Sequence, residues 1–433
     1  MAEHVDLNPS PGTPYAGLPD PGVQLTRQQE TSDVVIAGAG PAGTVAATLL
    51  ARAGLRVRLV DRARFPRDKL CGDSVNPGAL DLLRRLRLAR EIEQRGLPID
   101  GMHVFGPAGA HVTATYPDPL HGLTVMRRDL DQWLLDGAIA AGAQFEEGVT
   151  VRGPLLNDKQ VAGVLIKSAA FGEIPLAARV TIAADGRRST LAFGMGLAAH
   201  PSRPRRWAVG AYFERVTGMS SMGEMHIRPG KYVGVAPLAN GWTNVCVVGT
   251  PASLKHLNDP QRVLRAALDE DPTLRERLAG ARQVTRPVVL GPLAVDSRVA
   301  GAPGLLLAGD AAGFIDPMTG DGMRLAVQGA ELAAEAALEM LETGNTHMHV
   351  TLAHRRRMVF ASKPRFNRAL RWLVDSPAAL RVAALGASIA PAYIQSLVAF
   401  AGDCGTLLEG NLSNAADDCR DLDRGAAAHP HPR

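Results

Sequence analysis

The 433-residue sequence predicts an α/β fold, with a parallel sheet interleaved with an antiparallel one and followed by C-terminal helices. Three patterns carry that expectation. The apolar chain opens on a strand, a glycine loop, a helix and a second strand. Residues 206–250 break into short segments separated by Gly, Pro and Asn, and an Ala-rich stretch near residue 330 reads as one long helix. A chain of this length can bury a large core, and 46% hydrophobic with 21% charged residues is an ordinary globular composition.

Taken in order, residues 1–30 hold five prolines without apolar periodicity and read as a disordered leader. Asp33–Ala37 is short, apolar and β-branched, hence a buried strand. Ala42–Ala53 is rich in Ala and Leu and is stopped by Gly54, and Arg56–Val60 is the second strand. This βαβ unit implies a parallel sheet with a right-handed crossover. Asp129–Ala141 reads as a helix stopped by Gly142, Arg179–Ala184 and Leu305–Ala308 as strands, and Met323–Glu342 as the long helix. Trp207–Phe213, Glu224–Ile227, Tyr232–Ala236 and Thr243–Val248 read as antiparallel strands inserted into the parallel domain. The expected division gives residues 31–100, 126–200 and 296–345 to the parallel-sheet domain. Residues 101–125 and 201–295 go to the antiparallel one, 346–420 to a C-terminal helical region and 421–433 to a flexible tail. A cleft between the two sheets is the natural binding site.

Composition narrows the classes. Aromatic residues are only 4% of the chain, too few for the stacking platforms of single-stranded nucleic acid, so no nucleic-acid partner is expected. A net charge of +4 is weak over this length, and Arg203–Arg206 and Arg355–Arg357 read as solvated faces. Cys71, Cys246, Cys404 and Cys419 form no CxxC pair, so neither a zinc site nor a disulfide framework is expected, and a reducing cytoplasm fits. No export signal is visible at the N-terminus. Val382–Gly402 carries no charge, but Pro391, Gln395 and its glycines favour two buried or interfacial helices over a spanning one. Peripheral contact at the inner membrane face is the alternative.

Three motifs carry chemistry. Gly38-Ala39-Gly40-Pro41-Ala42-Gly43 lies between strand and helix. Gly38 permits the turn, Gly40 lets the backbone approach a pyrophosphate, and Gly43 lets the helix pack on the sheet above free N–H groups. Asp61 ends the second strand 23 residues after Gly38, where a carboxylate can bond ribose hydroxyls, and Arg62 follows it. The second motif, Asp185-Gly186, is delivered at the C-terminal end of a strand, where ligands sit in parallel sheets. The third, Gly309–Gly322, reads GDAAGFIDPMTGDG. Asp310 can reach a ribityl hydroxyl, and the turn through Pro317, Gly320, Gly322 and Met323 presents N–H groups that can stabilise negative charge on a flavin ring. The plain alternatives are tight glycine turns.

GAGPAG, ADGRRS and GDAAGFIDP, in that order, resemble the glutathione-reductase-type FAD superfamily over residues 31–345. More narrowly they resemble its branch of aromatic-ring hydroxylases (group A flavin monooxygenases), flavin halogenases and geranylgeranyl reductases. The resemblance implies a Rossmann-like FAD-binding domain, an interleaved antiparallel-sheet substrate domain and FAD as cofactor. Arg67–Pro77, reading RDKLCGDSVNP, is similar to the geranylgeranyl and menaquinone-side-chain reductases. By the same likeness Arg127 would face the FAD, and Cys71 would lie near the isoalloxazine as a catalytic proton donor or as a small residue at a tight turn. Tyr232, Gly234, Ala236 and Pro237 would line the substrate pocket. Tyr232 and Pro237 match the reductases' Tyr-x-Trp-x-Phe-Pro pattern, while Gly234 and Ala236 replace its large aromatics.

The expected function is therefore FAD-dependent reduction of a C=C bond in a lipophilic, isoprenoid- or polyketide-like small molecule. NAD(P)H would serve as a transient reductant, since no second GxGxxG is evident. The alternative is a monooxygenase acting through a flavin C4a-hydroperoxide. Halogenation, or flavin binding without turnover, stands behind these two.

Overall fold

The computed structural model describes residues 32–170, 172–202 and 205–404. The expected leader, the tail and Cys419 lie outside them. The parallel sheet forms as the sequence predicts. Ser32–Ala37 is its centre, with Val34, Val35, Ile36 and Ala37 fully buried. It pairs in parallel with Val57–Asp61 on one side and Gly172–Ala183 on the other. Gln144–Glu147 and Leu305–Leu307 extend the sheet at its two flanks, also in parallel.

Gly172–Ala183 is longer than the expected Arg179–Ala184 because it serves two sets of partners. Residues 178–183 pair with Ser32–Ala37, while residues 172–177 pair with an antiparallel hairpin, Thr150–Asn157 and Gln160–Ser168. The hairpin satisfies backbone groups that would otherwise project beyond the parallel sheet. Helices Pro41–Arg52, Arg127–Ala140 and Gly322–Thr343 share one apolar core on one face of this sheet. Their small residues, Ala46, Ala47, Ala333 and Ala337 among them, are fully buried and permit close packing.

The second sheet runs Trp207–Glu214, Trp242–Gly249, Lys231–Pro237, Met222–Arg228, Gly101–Phe105 and His111–Thr115. All its neighbours are antiparallel except Met222–Arg228 beside Gly101–Phe105. Period-two alternation gives it two faces of different character. Val209, Phe213, Val233, Val245 and Val247 pack against helices Pro260–Asp269 and Pro272–Leu278. The opposite face carries Ala208, Gly210, Gly234, Ala236 and Cys246, in rows set by the pairings Gly210↔Cys246 and Gly234↔Cys246. A face of such small side chains leaves volume between the sheets, and that volume is the cavity described below.

The C-terminal region folds as helices Ser362–Asp375, Pro377–Ile389 and Pro391–Ala401. The uncharged Val382–Gly402 stretch is thus split at Ala390, whose backbone (φ −132°, ψ 71°) leaves the helical region ahead of Pro391. No helix among the described residues is long and apolar enough to cross a membrane.

Candidate functional site

The three motifs converge at the C-terminal ends of adjacent parallel strands. Gly38 adopts φ +98°, and a Cβ there would lie 2.6 Å from the carbonyl oxygen of Ala184. A Cβ on Gly43 would lie 1.8 Å from the carbonyl oxygen of Gly38. Both glycines are therefore demanded by the protein itself. Gly40 differs: its φ is −79°, open to any residue, and its Cβ would meet only Arg67 Nη2 at 3.5 Å. The space above Gly40 is kept for something other than this chain. Pro41 and Ala42 complete the first helical turn, whose N–H groups have no carbonyl upstream.

Asp61 braces this loop, accepting from the N–H of Ala39 at 2.7 Å and of Ala63 at 2.8 Å. Each oxygen keeps a second acceptor position for a ribose hydroxyl. Asp185 accepts from the N–H of Thr190 at 2.7 Å through Oδ2, while its Oδ1 is buried without a protein partner. Burial raises its pKa, against hydrogen bonds from Ser189 and Thr190. Exposed Arg62 acts on Asp185 only through its charge. Gly186, at φ +82°, and Asp310, following Gly309 at φ +59°, reach the cavity that opens beside the loop.

Arg127 is more engaged than the sequence suggests. Its guanidinium makes two hydrogen bonds to Asp131, at 3.0 and 3.1 Å, and Cys71 lies close enough to act on its charge. Burial pulls its pKa down, but Asp131 and Cys71 hold it above the ordinary guanidinium value. Arg67 also reaches Asp131, at 3.0 Å. Lys69, which lines the cavity beside them, is held below its ordinary pKa by burial and by the neighbouring Arg127 and Arg67 cations, against Asp310 and Asp131. Three cations thus gather at the Gly40 loop around one fully buried carboxylate, an arrangement that an anionic ligand would relieve. Sequence reading missed Arg67 and Lys69, although both stand inside the RDKLCGD segment.

It also missed Asp73. This residue is 1% exposed and takes φ +52°, closing the turn after Cys71 and Gly72. Its carboxylate accepts from the Arg127 N–H at 3.1 Å, from the Tyr212 hydroxyl at 2.7 Å, and from the Asn244 amide. Asn244 donates as well to the Cys71 carbonyl at 2.8 Å. Tyr212 and Asn244 face each other across the antiparallel register, so the second sheet holds the Cys71 turn. Burial, outweighing these hydrogen bonds and the Arg127 charge, pushes the Asp73 pKa up to about 6.

Cys71 lines a cavity of about 400 Å³ that runs from the glycine loop to the small-residue face of the second sheet. Tyr232, Gly234 and Ala236 lie on that face, and a Cβ on Gly234 would meet nothing closer than 3.9 Å. Pro237 corrects the sequence-based expectation: it is one residue out of phase, does not line the cavity, and instead accepts through its carbonyl from Thr124. The Tyr232 hydroxyl donates to Asp316 at 2.7 Å, and the Met318 N–H donates to the same oxygen at 3.0 Å. Arg206 stands 3.5 Å from the other Asp316 oxygen. This pins the turn through Pro317, Gly320, Gly322 and Met323 to the cavity rim, where all four residues face it. Phe366, Leu370 and Leu373, at helical spacing on Ser362–Asp375, close the cavity with Leu397 and Val398 of the last helix. Their i, i+4, i+7 periodicity was the available signal.

These residues fit FAD. The free volume over Gly40 and the unpaired Oδ1 of Asp185 are the observations that test it. Gly38–Gly43, Arg67 and Lys69 would take the pyrophosphate, Asp61 the adenosine ribose, Asp185 and Asp310 further hydroxyls, and the Pro317–Met323 turn the ring.

The family described as FAD binding domain matches residues 31–364. The chain is 31% identical to digeranylgeranylglycerophospholipid reductase 2 of Methanopyrus kandleri, over 72% of this chain and 78% of that one. It is 33% identical to menaquinone reductase of Mycolicibacterium smegmatis, over 70% and 76%. A geranylgeranyl bacteriochlorophyll reductase-like protein of Thermoplasma acidophilum superposes with TM-score 0.71 at 22% identity, covering 80% of this chain and 88% of that one. The flavin-dependent halogenase CmlS superposes with TM-score 0.72 at 24% identity, over 81% and 67%.

Two outcomes follow from this geometry. Gly40→Val leaves the melting temperature of the FAD-free protein within a few degrees but weakens FAD binding by on the order of a hundredfold or more, whereas Gly43→Ala lowers both. Fluorescence titration with FAD and thermal melts separate them; a Gly40→Val protein that keeps FAD overturns the loop's role. For Asp73 the folded pKa of about 6 exceeds the ordinary 3.8, so the folded chain holds the proton more tightly. Stability from this group is full at pH below the ordinary value and is lost as pH rises towards 6, by about 3 kcal/mol. Denaturant titrations of wild type and Asp73→Asn across that window should differ by this slope.

Proposed function

The chain belongs to the FAD binding domain family and is an FAD-dependent oxidoreductase; from that premise we propose that it reduces a carbon–carbon double bond in a lipophilic, isoprenoid- or polyketide-like substrate. The observation that carries this reading is the cavity's division. Its charged lining, Lys69, Arg127, Arg187 and Asp310, gathers at the cofactor end. Beyond Cys71 it is walled by Met102, Val104, Met225 and Ile227 on the second sheet and by Phe366 and Leu370 opposite them. Glu224, the remaining charge in the lining, is bonded to His226 at 3.1 Å and to Arg277 at 2.7 Å. Such walls suit a hydrocarbon chain. The names of the Methanopyrus and mycobacterial relatives support the same reading.

When bound and reduced, FAD would supply the hydride, with NAD(P)H or another soluble donor as the source of its electrons. The protein's own residues do the rest. The small side chains Gly234 and Ala236 make room for the substrate beside the flavin, and the apolar walls keep water from the reacting carbon. Cys71 Sγ holds the proton delivered to the second carbon of the double bond. The Asp73–Asn244 pair fixes the Cys71 backbone, and the Arg127 guanidinium lies beside the thiol. Tyr232 and Asp316 hold the flavin-side turn at its distance from the sheet.

The test is anaerobic: the flavin is reduced chemically, polyprenyl lipids and prenylated quinones are added, and products are identified by mass spectrometry. A saturated product is expected. An oxygenated product formed only on admitting air would overturn the reading in favour of monooxygenation. Cys71→Ala should lower the rate of saturation by about a hundredfold, with FAD content and the rate of flavin reduction unchanged. An undiminished rate would remove Cys71 from the proton step.

A further inference from the structure

The three C-terminal helices close the cavity with one face and present a second face that no part of the described chain covers. On Ser362–Asp375, the inward stripe is Phe366, Leu370 and Leu373. The outward stripe is Arg365, Arg368 and Trp372, at i, i+3 and i+7. On Pro377–Ile389, Arg381, Val382 and Leu385 share the outward side. Trp372 is 66% exposed, Val382 73% and Leu385 65%, which is unusual for three large apolar side chains on adjoining helices.

The charges on these helices are one-sided. Between Ser362 and Gly402 they are Lys363, Arg365, Arg368, Arg371, Asp375 and Arg381. Lys363 is spent internally on Asp321 at 3.1 Å and Asp403 at 3.0 Å, and Asp375 pairs with Arg206. Arg371 is half-buried, its charge acting on Asp316. Arg365, Arg368 and Arg381 remain exposed, and the ion pairs among the described residues include none of them. The outward face is therefore apolar at Trp372, Val382 and Leu385, with Arg365, Arg368 and Arg381 around them and the exposed Asp375 at the end of the stripe neutralised by Arg206.

We propose that this face docks on the surface of a bilayer bearing anionic headgroups. The arginines complement the phosphates, Trp372 sits at the headgroup level, and Val382 and Leu385 enter the acyl boundary. A soluble acidic protein would match the charge but leave the apolar residues without a partner of their own kind. The same helix that carries Trp372 outward carries Phe366 and Leu370 into the cavity, so docking brings the substrate chamber against the phase that holds lipophilic substrates. The idea rests on the proposed lipophilic substrate only in that last step.

Flotation of the FAD-loaded, full-length protein tests it without any turnover, so failure here and failure of the reductase chemistry are separately visible. Vesicles of phosphatidylcholine alone, or with added phosphatidylglycerol, are floated through a density gradient with the protein. The protein should rise with the anionic vesicles, and raised salt should release it. Arg365→Gln, Arg368→Gln and Arg381→Gln together should weaken partition on the order of a hundredfold. Trp372→Ser with Leu385→Ser should weaken it at low salt too, with flavin absorbance and melting temperature unchanged. Wild-type protein that stays behind at low salt, or a triple variant that rises undiminished, overturns the proposal. So does a stable dimer in light scattering that Trp372→Ser dissociates, since a second copy of the chain would then cover the face.

Discussion

The approach of Gly43 to the carbonyl of Gly38 is the constraint on which the remainder of the site depends. With no side chain on either residue, the helix Pro41–Arg52 starts directly against the end of the strand Ser32–Ala37. Its N-terminus and dipole then point into the space above Gly40. Asp61 holds the loop from the neighbouring strand, and Gly309 closes it from the far flank, where a Cβ would come within 2.8 Å of Ala42. Asp185 and Asp310 arrive at the same edge because their strands are parallel to the first. A single register fixes the whole cofactor cradle.

The second sheet contributes by what it lacks. Its face towards the cradle is small at Ala208, Gly234, Ala236 and Cys246 and apolar beyond them, and its polar members Tyr212, Asn244 and Tyr232 each bond a carboxylate belonging to the loops around the cavity. Asp73 and Asp316 are buried acids that tie the two domains together at opposite sides of the same chamber. Burial raises the pKa of both, so the ties cost the protein some stability near neutral pH in return for a fixed geometry.

The cofactor domain was legible because its signals are local. Val34, Val35 and Ile36 announce a buried strand, Gly54 a helix stop, and Asp61 lies at the spacing that the βαβ geometry sets. Helix starts were less legible: Arg127–Ala140 begins at Arg127, with Met126 before it and no side-chain cap to mark the boundary. The substrate side was legible in composition but not in contact. Tyr212 lies 139 residues from Asp73 and Asn244 lies 171 away. Nothing near either residue in the chain reports that pairing. Pro237 was misassigned for a related reason, since a six-residue pattern does not say which alternate positions face the cavity. Lys69 and Arg67 could have been found by counting cations near the glycine loop and asking what neutralises them.

The double duty of Gly172–Ala183 has a consequence for how the protein is made. During synthesis the glycine loop emerges first, yet one wall of its sheet arrives only with residues 178–183 and the next only with Leu305–Leu307. The ribosome must release the chain through Asp310, about 250 residues beyond Asp61, before the two can meet at the same sheet edge. Until then the nascent apolar strand Ser32–Ala37 has an open flank, exposed to other strands and to chaperones. A chain truncated before Leu305–Leu307 therefore has no complete cradle to fill.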